Sequence, residues 1–236
     1  MKKLSLVFSS HFTDAENQKF IDYLKSTAGI DIHIECIVNM KQYSLTEAYN
    51  LAWKKLDETG RGQDIIVFCH NDITIKTKNW GKVLLSLFNN NPDYDILGVA
   101  GSDKILEHGV WYLDEQGKIW PQDTHMFGRV FHPNGLREFE SIYSTKIKEV
   151  QPVVVVDGVF FAVNGETILK RFNEDFKGFH YYDVSFSFEN YLEGCNIGVI
   201  DKISIFHQSI GRTNQEWDLN RQQFASLYKN ELPIEV

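Results

Sequence analysis

Four short stretches carry the side chains best suited to chemistry. The first, "IIVFCHNDITI" (residues 65–75), sets His70, Asn71 and Asp72 side by side near the end of an apolar run. Burying an imidazole, an amide and a carboxylate costs free energy unless each is paired or binds something. Asp72 suits a hard divalent cation, because Mg2+ and Mn2+ prefer oxygen ligands and commonly bind through one or two carboxylates plus substrate phosphates. A cation held there would neutralise a diphosphate leaving group. The same residues also read as a strand that ends in a polar turn, with His70 satisfied by backbone.

The second stretch is "VVVVDGVFFAV", in which Asp157 and Gly158 interrupt an apolar strand. Glycine inside a strand marks a bulge or the close approach of another backbone or a ligand. In the third, "FNEDFKGFHYYDVSFSF", His180 and Asp183 lie among Phe179, Tyr181, Tyr182 and Phe186. Asp183 reads as an N-cap or first-turn acid favoured by the helix dipole. It also reads as a general base for a hydroxyl, at the edge of an aromatic pocket that could stack on a sugar. A helix N-terminus is a rigid mount for both roles. The fourth, "ISIFHQSIGR", ends an apolar strand on His207, followed by Ser209 and Gly211. A lone histidine there is ordinarily just hydrogen-bonded, and becomes a metal-ligand candidate only if a metal sits nearby.

The elements that must position these groups alternate in the first half. "KLSLVFSS" is strand-like, and "TDAENQKFIDYLKST" is helical, with Thr13 and Glu16 spaced as a capping box. "IDIHIECIVN" alternates as a half-buried strand, and "SLTEAYNLAWKKLDETG" is a helix closing at Gly60. "QDIIVFCHNDITI" is a strand, "NWGKVLLSLFNNN" a helix and "YDILGVAGS" a strand. This order predicts an α/β fold with a mostly parallel, Rossmann-like central sheet flanked by helices. The second half is mixed. "VWYLDEQGKIW" and "GRVFHP" look like short strands, "VQPVVVVDGVFFAV" and "NIGVIDKISIFHQS" are strand-like, and "YYDVSFSFENYLEGC" and "NQEWDLNRQQFASLYKNEL" are helical. One domain over residues 1–236 is expected, with halves at 1–102 and 103–236. Ligands of open α/β sheets bind beyond the C-terminal strand ends. Ser9, Ser10, Asn39, the 70–72 trio, Gly101 and Ser102 should lie there.

A net charge of −8 argues against general nucleic-acid binding, which needs lysines and arginines on phosphates. The three cysteines are dispersed in apolar contexts without metal-finger spacing, as expected of free thiols in a reducing, cytoplasmic setting. The apolar run near the N-terminus is too short for a signal-peptide core or a membrane span.

Taken in order, "SLTEAYNLAW", "FCHNDITI", "ILGVAGS", "VDGVFFAV", "FHYYDVSFSF" and "IFHQSIGR" resemble the bacterial family 2-like glycosyltransferases of GT-A fold, over residues 4 to 230. In particular they resemble a compact subgroup that makes surface polysaccharide or modifies glycoconjugates. The resemblance implies a nucleotide-diphosphate sugar donor, a saccharide or lipid-linked glycan acceptor and a Mn2+ or Mg2+ cofactor. It leaves open a peripheral association with the inner face of the membrane. "HNDI" sits at the family's Asp-x-Asp metal motif, so Asp72 would hold the cation, with His70 standing in place of the first Asp. Asp183 matches the base of inverting members, although their Glu-Asp pair reads Tyr182-Asp183 here. His207 matches a C-terminal metal-site histidine. Ser9, Asn39, Asn71, Asp72, Gly101 and Ser102 would contact the donor. Asp157, Gly158, His180 and Tyr182 would face the acceptor, with Tyr181 shaping that face and Trp111 or Trp120 stacking on a sugar. An incomplete metal motif also fits a non-catalytic module that binds sugar nucleotides or glycans. A nucleotidyltransferase would need a glycine-rich, basic loop after the first strand. "SSHFTDAENQ" offers neither glycine nor a basic lysine or arginine.

Overall fold

The computed structural model of the chain describes residues 2–134, 137–144, 147, 149–211 and 213–236. Arg212, at the end of "IFHQSIGR", lies outside them. The first half runs β1 (Leu4–Ser10), α1 (Asp14–Ala28), β2 (His33–Val38), α2 (Leu45–Glu58), β3 (Ile65–Cys69), β4 (Ile73–Ile75), α3 (Trp80–Asn90), β5 (Ile96–Gly98) and β6 (Ala100–Ser102). The second half adds β7 (Lys104–Ile105), β8 (Met126–Asn134), β9 (Arg137–Ile142), β10 (Gln151–Pro152), β11 (Val155–Val156) and β12 (Phe160–Asn164). It closes with α4 (Tyr182–Leu192), β13 (Ile197–Val199), β14 (Ile205–His207), α5 (Gln215–Leu227) and β15 (Ile234–Glu235). Thr13 and Glu16 form the expected capping box, and Ser44 and Glu47 form a second one on α2. Gly60 falls one residue past the α2 cap, in the left-handed region at φ 70°.

The central sheet has strand order β10-β13-β5-β12-β3-β1-β2. β2, β1, β3, β5 and β13 share one direction, while β12 and β10 run against them. Strand alternation sends Leu6, Phe8, Ile65 and Val67 to one face, where Leu24 and Ala28 of α1 and Trp80 and Leu84 of α3 cover them. Val7, Ile66 and Phe68 face the other way, onto Ala52, Trp53 and Leu56 of α2 and Phe186 of α4. Helices on both faces explain why β3 is buried along its whole length.

A second sheet has the order β11-β6-β8-β14-β4, with β9 on β8. Four apolar runs that read as single strands therefore change sheets partway. "IIVFCHNDITI" is β3 plus β4, "YDILGVAGS" is β5 plus β6, "VQPVVVVDGVFFAV" is β10, β11 and β12, and "NIGVIDKISIFHQS" is β13 plus β14. Hydropathy does not reveal such a change, because the chain stays buried on both sides of it. "VWYLDEQGKIW" forms no strand beyond an isolated Leu113–Ile119 bridge among the described residues. There the Asp114 carboxylate accepts the N–H groups of Gln116 and Lys118, closing a turn with groups a ladder would need.

Candidate functional site

Two of the sheet changes occur side by side. At the end of β3 the chain turns through His70, Asn71 and Asp72 into β4, whose register with β14 sets Ile73 opposite His207. The Gln208 N–H donates to the Asp72 carbonyl at 2.9 Å and fixes that register at the corner. His207 Nε2 then lies 3.2 Å from Asp72 Oδ1 and 3.1 Å from His70 Nδ1, with His70 Nδ1 3.9 Å from the same carboxylate oxygen. Among the described residues, these three form a cluster whose donor atoms all lie within 4.8 Å of one another. Two imidazole nitrogens and a carboxylate oxygen converging on one point suit a divalent cation. His70, which reads in sequence as the loss of a carboxylate, is itself part of the donor set.

The electrostatics favour ligation. Partial burial opposes ionisation of Asp72, but hydrogen bonds from His207 and Ser209 and the nearby imidazoles hold its carboxyl well below the usual carboxylate range. Burial, then the neighbouring His207, pushes His70 below its ordinary value, so its ring is neutral, as a ligand must be.

The other corner carries Asp157 and Gly158 between β11 and β12. Because β12 is antiparallel to β3, its first residue Phe160 pairs with Cys69, and the Val159 carbonyl accepts the His70 N–H at 3.2 Å. α4 starts against this corner. Asp183, in its first turn, accepts the Gly158 N–H at 2.6 Å. Tyr182 Oη lies 3.0 Å from the Gly158 carbonyl and 2.9 Å from His70 Nε2. Gly158 thus touches both Asp183 and the residue that contacts the His–Asp–His cluster. Burial, and then the charge of Asp157, raise the Asp183 carboxyl to about 7, where it exchanges protons near neutrality.

A Cβ on Gly158 would sit 1.9 Å from Tyr182 Oη and 2.9 Å from Asp183 Oδ2. The Tyr182 ring is packed edge-on against Tyr49 and has little room to retreat. Gly158→Ala is therefore expected to lose about 1–3 kcal/mol in chemical denaturation, as overpacked sites do, together with most activity. Unchanged stability with full turnover would show that the corner is not held as described.

The remaining predicted residues divide. Asn71 joins the site edge by donating to Ser10 Oγ at 3.1 Å, so Ser10, rather than its neighbour Ser9, touches the 70–72 turn. Ser9 lies opposite Ile37 in β2. Asn39 spends its side chain on the backbone of Tyr43, closing the loop after β2. Gly101 is packed under β11, where a Cβ would meet the Val155 carbonyl at 2.2 Å. Ser102 is buried, with its hydroxyl bonded to the backbone of Lys104 and His125. His180 lines a cavity of about 500 Å3 with Tyr43, Lys177, Phe179, Asn214 and Glu216. Tyr181, the α4 N-cap, is buried and donates to the Gly109 carbonyl. Trp111 is buried edge-on to Tyr112 and Tyr143, and Trp120 packs against His125 beside a separate cavity of about 280 Å3.

Sequence reasoning missed His132, whose ring centroid lies 5.8 Å from that of His207. It comes from the 103–150 region, where no periodicity marks a face.

Comparison with known proteins bears on this geometry. Residues 9–228 match a family described as a glycosyltransferase-like family. Among solved structures the chain is similar to GalNAc-T7 with UDP, GalNAc and Mn2+, at a TM-score of 0.56 and 11% identity over 96% of this chain. It covers 48% of that chain, about half its length, and at this identity the likeness is one of fold: GT-A. A search of curated proteins finds no match. No helix among the described residues is long and apolar enough to cross a membrane. With nearly its whole length matching and a GT-A architecture underneath, the chain belongs to the glycosyltransferase-like family.

Proposed function

We propose that the protein transfers a sugar from a nucleotide-diphosphate donor to a hydroxyl of a saccharide or glycan acceptor, inverting the anomeric centre. The observation that carries this reading is the Gly158 corner, which places a carboxyl near pKa 7 beside a His–Asp–His donor set. A base for a sugar hydroxyl works best with a pKa near the operating pH, and Asp183 meets that condition. In the reaction the acceptor oxygen attacks the anomeric carbon and its proton passes to Asp183. The bond from that carbon to the diphosphate breaks, and the nucleoside diphosphate leaves. A divalent cation, when bound at His70, Asp72 and His207, supplies charge to stabilise that leaving group. Two imidazoles in the set favour Mn2+ over Mg2+, which demands oxygen ligands.

In this reading residues 1–102 supply most of the donor side through Ser9, Ser10, Asn39, Asn71 and Asp72, with Gly101 and Ser102 supporting it from the second sheet. Residues 103–236 supply the base and the acceptor face through Asp157, Gly158 and His180. The cavity beside His180 adds the exposed rings of Tyr43 and Phe179, which suit stacking on a sugar. The experiment is calorimetric titration with UDP, GDP, CDP and dTDP, each with and without Mn2+. It is followed by proton NMR of the product formed from the matching sugar nucleotide. Metal-dependent binding of one nucleotide and a product of inverted configuration are expected. A retained configuration would overturn the single displacement, and tight binding without turnover or donor hydrolysis would leave a binding module.

A further inference from the structure

The hydrogen bonds around Tyr182 fix more than its own position. A carbonyl has no proton to give, so at 3.0 Å the Tyr182 hydroxyl must donate to Gly158. That uses its only proton. The 2.9 Å contact with His70 Nε2 is then made by an N–H on His70, with Tyr182 Oη as acceptor. A neutral imidazole protonated on Nε2 carries its lone pair on Nδ1, the nitrogen that faces His207 and Asp72.

We infer that Tyr182 is a positioning residue for the metal site: it holds His70 in the Nε2–H tautomer and aims Nδ1 at the cation. This rests on the metal-dependent reading above and adds a role that the acceptor-facing expectation for Tyr182 does not contain. The ring is suited to the task. It is 3% exposed, packs edge-on to Tyr49 at 5.6 Å and 77°, and lies 6.5 Å from Phe172. Its hydroxyl is thus delivered by a rigid part of the core, and partners of this kind fix both the tautomer and the orientation of ligating histidines. The arrangement also ties the two halves of the site together. Gly158 accepts from Tyr182 through its carbonyl and donates its N–H to the carboxylate of Asp183.

Tyr182→Phe removes one oxygen and keeps the ring. Two measurements test the role. Long-range proton–nitrogen NMR of the histidine rings in metal-free protein, with His70 assigned by its loss in His70→Gln, should show an Nε2–H tautomer in wild type and a mixture in Tyr182→Phe. Titration of free Mn2+, followed by electron paramagnetic resonance without donor or acceptor, should show affinity about 10–100-fold weaker in Tyr182→Phe, the usual cost of losing such a partner. Circular dichroism melting checks that the variant is folded. An Nδ1–H tautomer in wild type, or Mn2+ affinity within twofold in a folded Tyr182→Phe, overturns the inference. Wild type that binds no Mn2+ yet shows the Nε2–H tautomer would instead remove the metal reading and leave the tautomer assignment standing.

Discussion

Asp183→Asn is expected to lower kcat by about 10²–10⁴-fold, the usual worth of a positioned general base, with little change in nucleotide affinity. The asparagine keeps an acceptor for the Gly158 N–H but cannot take the hydroxyl proton. The pH profile makes the test specific. Burial and Asp157 raise the wild-type carboxyl to about 7, and only its ionised form is a base. Wild-type rate should therefore fall as pH drops below 7, and the residual Asp183→Asn rate should lack that limb. Stability should move the opposite way. The native carboxyl holds its proton more tightly than an unfolded aspartate near 3.8, so its contribution is full below about pH 4 and lost as pH climbs through 7. Above pH 7 the wild type carries a desolvated carboxylate that the variant lacks. Melting temperatures at pH 8 should favour Asp183→Asn, with the gap closing toward pH 4. Equal turnover, or a rate limb that persists in the variant, would assign the base elsewhere.

Asp72→Ala should weaken Mn2+ binding by more than about 100-fold, beyond the usual loss on removing a mere partner of a ligand, and remove metal-dependent nucleotide binding with it. Asp72 is the only carboxylate in the cluster, and its depressed pKa keeps it charged across the working range. Without it two imidazoles and no anionic ligand remain, a poor match for a cation that must also hold a diphosphate. Calorimetry of Mn2+ alone, then of nucleoside diphosphate at saturating Mn2+, separates the two losses. Nucleotide binding that survives in Asp72→Ala and in chelator would point to a metal-independent enzyme. The substitution is at a turn and one-quarter exposed, so the fold should tolerate it.

Much of this site was legible in residue types. His70, Asp72, His207, Gly158 and Asp183 interrupt apolar runs, and each interruption is expensive enough to need a reason. The N-terminal end of α1 was legible too, because caps are local chemistry; Thr13 and Glu16 sit three residues apart whatever the rest of the chain does. What sequence could not supply was which interruptions meet. His70 and His207 are brought together by the β4–β14 register, and Val159 reaches His70 because β12 runs antiparallel to β3. Those are long-range pairings that leave no periodic trace. For the same reason Tyr182 looked like an acceptor contact, when its hydroxyl is held between His70 and Gly158. Ser102 lay at an expected strand end yet was in a different sheet, its hydroxyl spent on backbone.

The place of β12 in the middle of the central sheet also bears on how the chain is made. β3 is apolar on both faces and takes β12 as one of its two neighbours, and β5 is joined to β3 only through β12. During synthesis the β3 edge must stay open while everything from residue 70 to residue 164 is added, roughly 5 to 20 s at typical translation rates. An unpaired, apolar, buried-type edge is the template on which strands of other chains add. The nascent protein is thus most exposed to aggregation just after its first three strands have emerged. It becomes safe only when Phe160–Asn164 arrives to fill the gap, the same event that brings the Val159 carbonyl to His70.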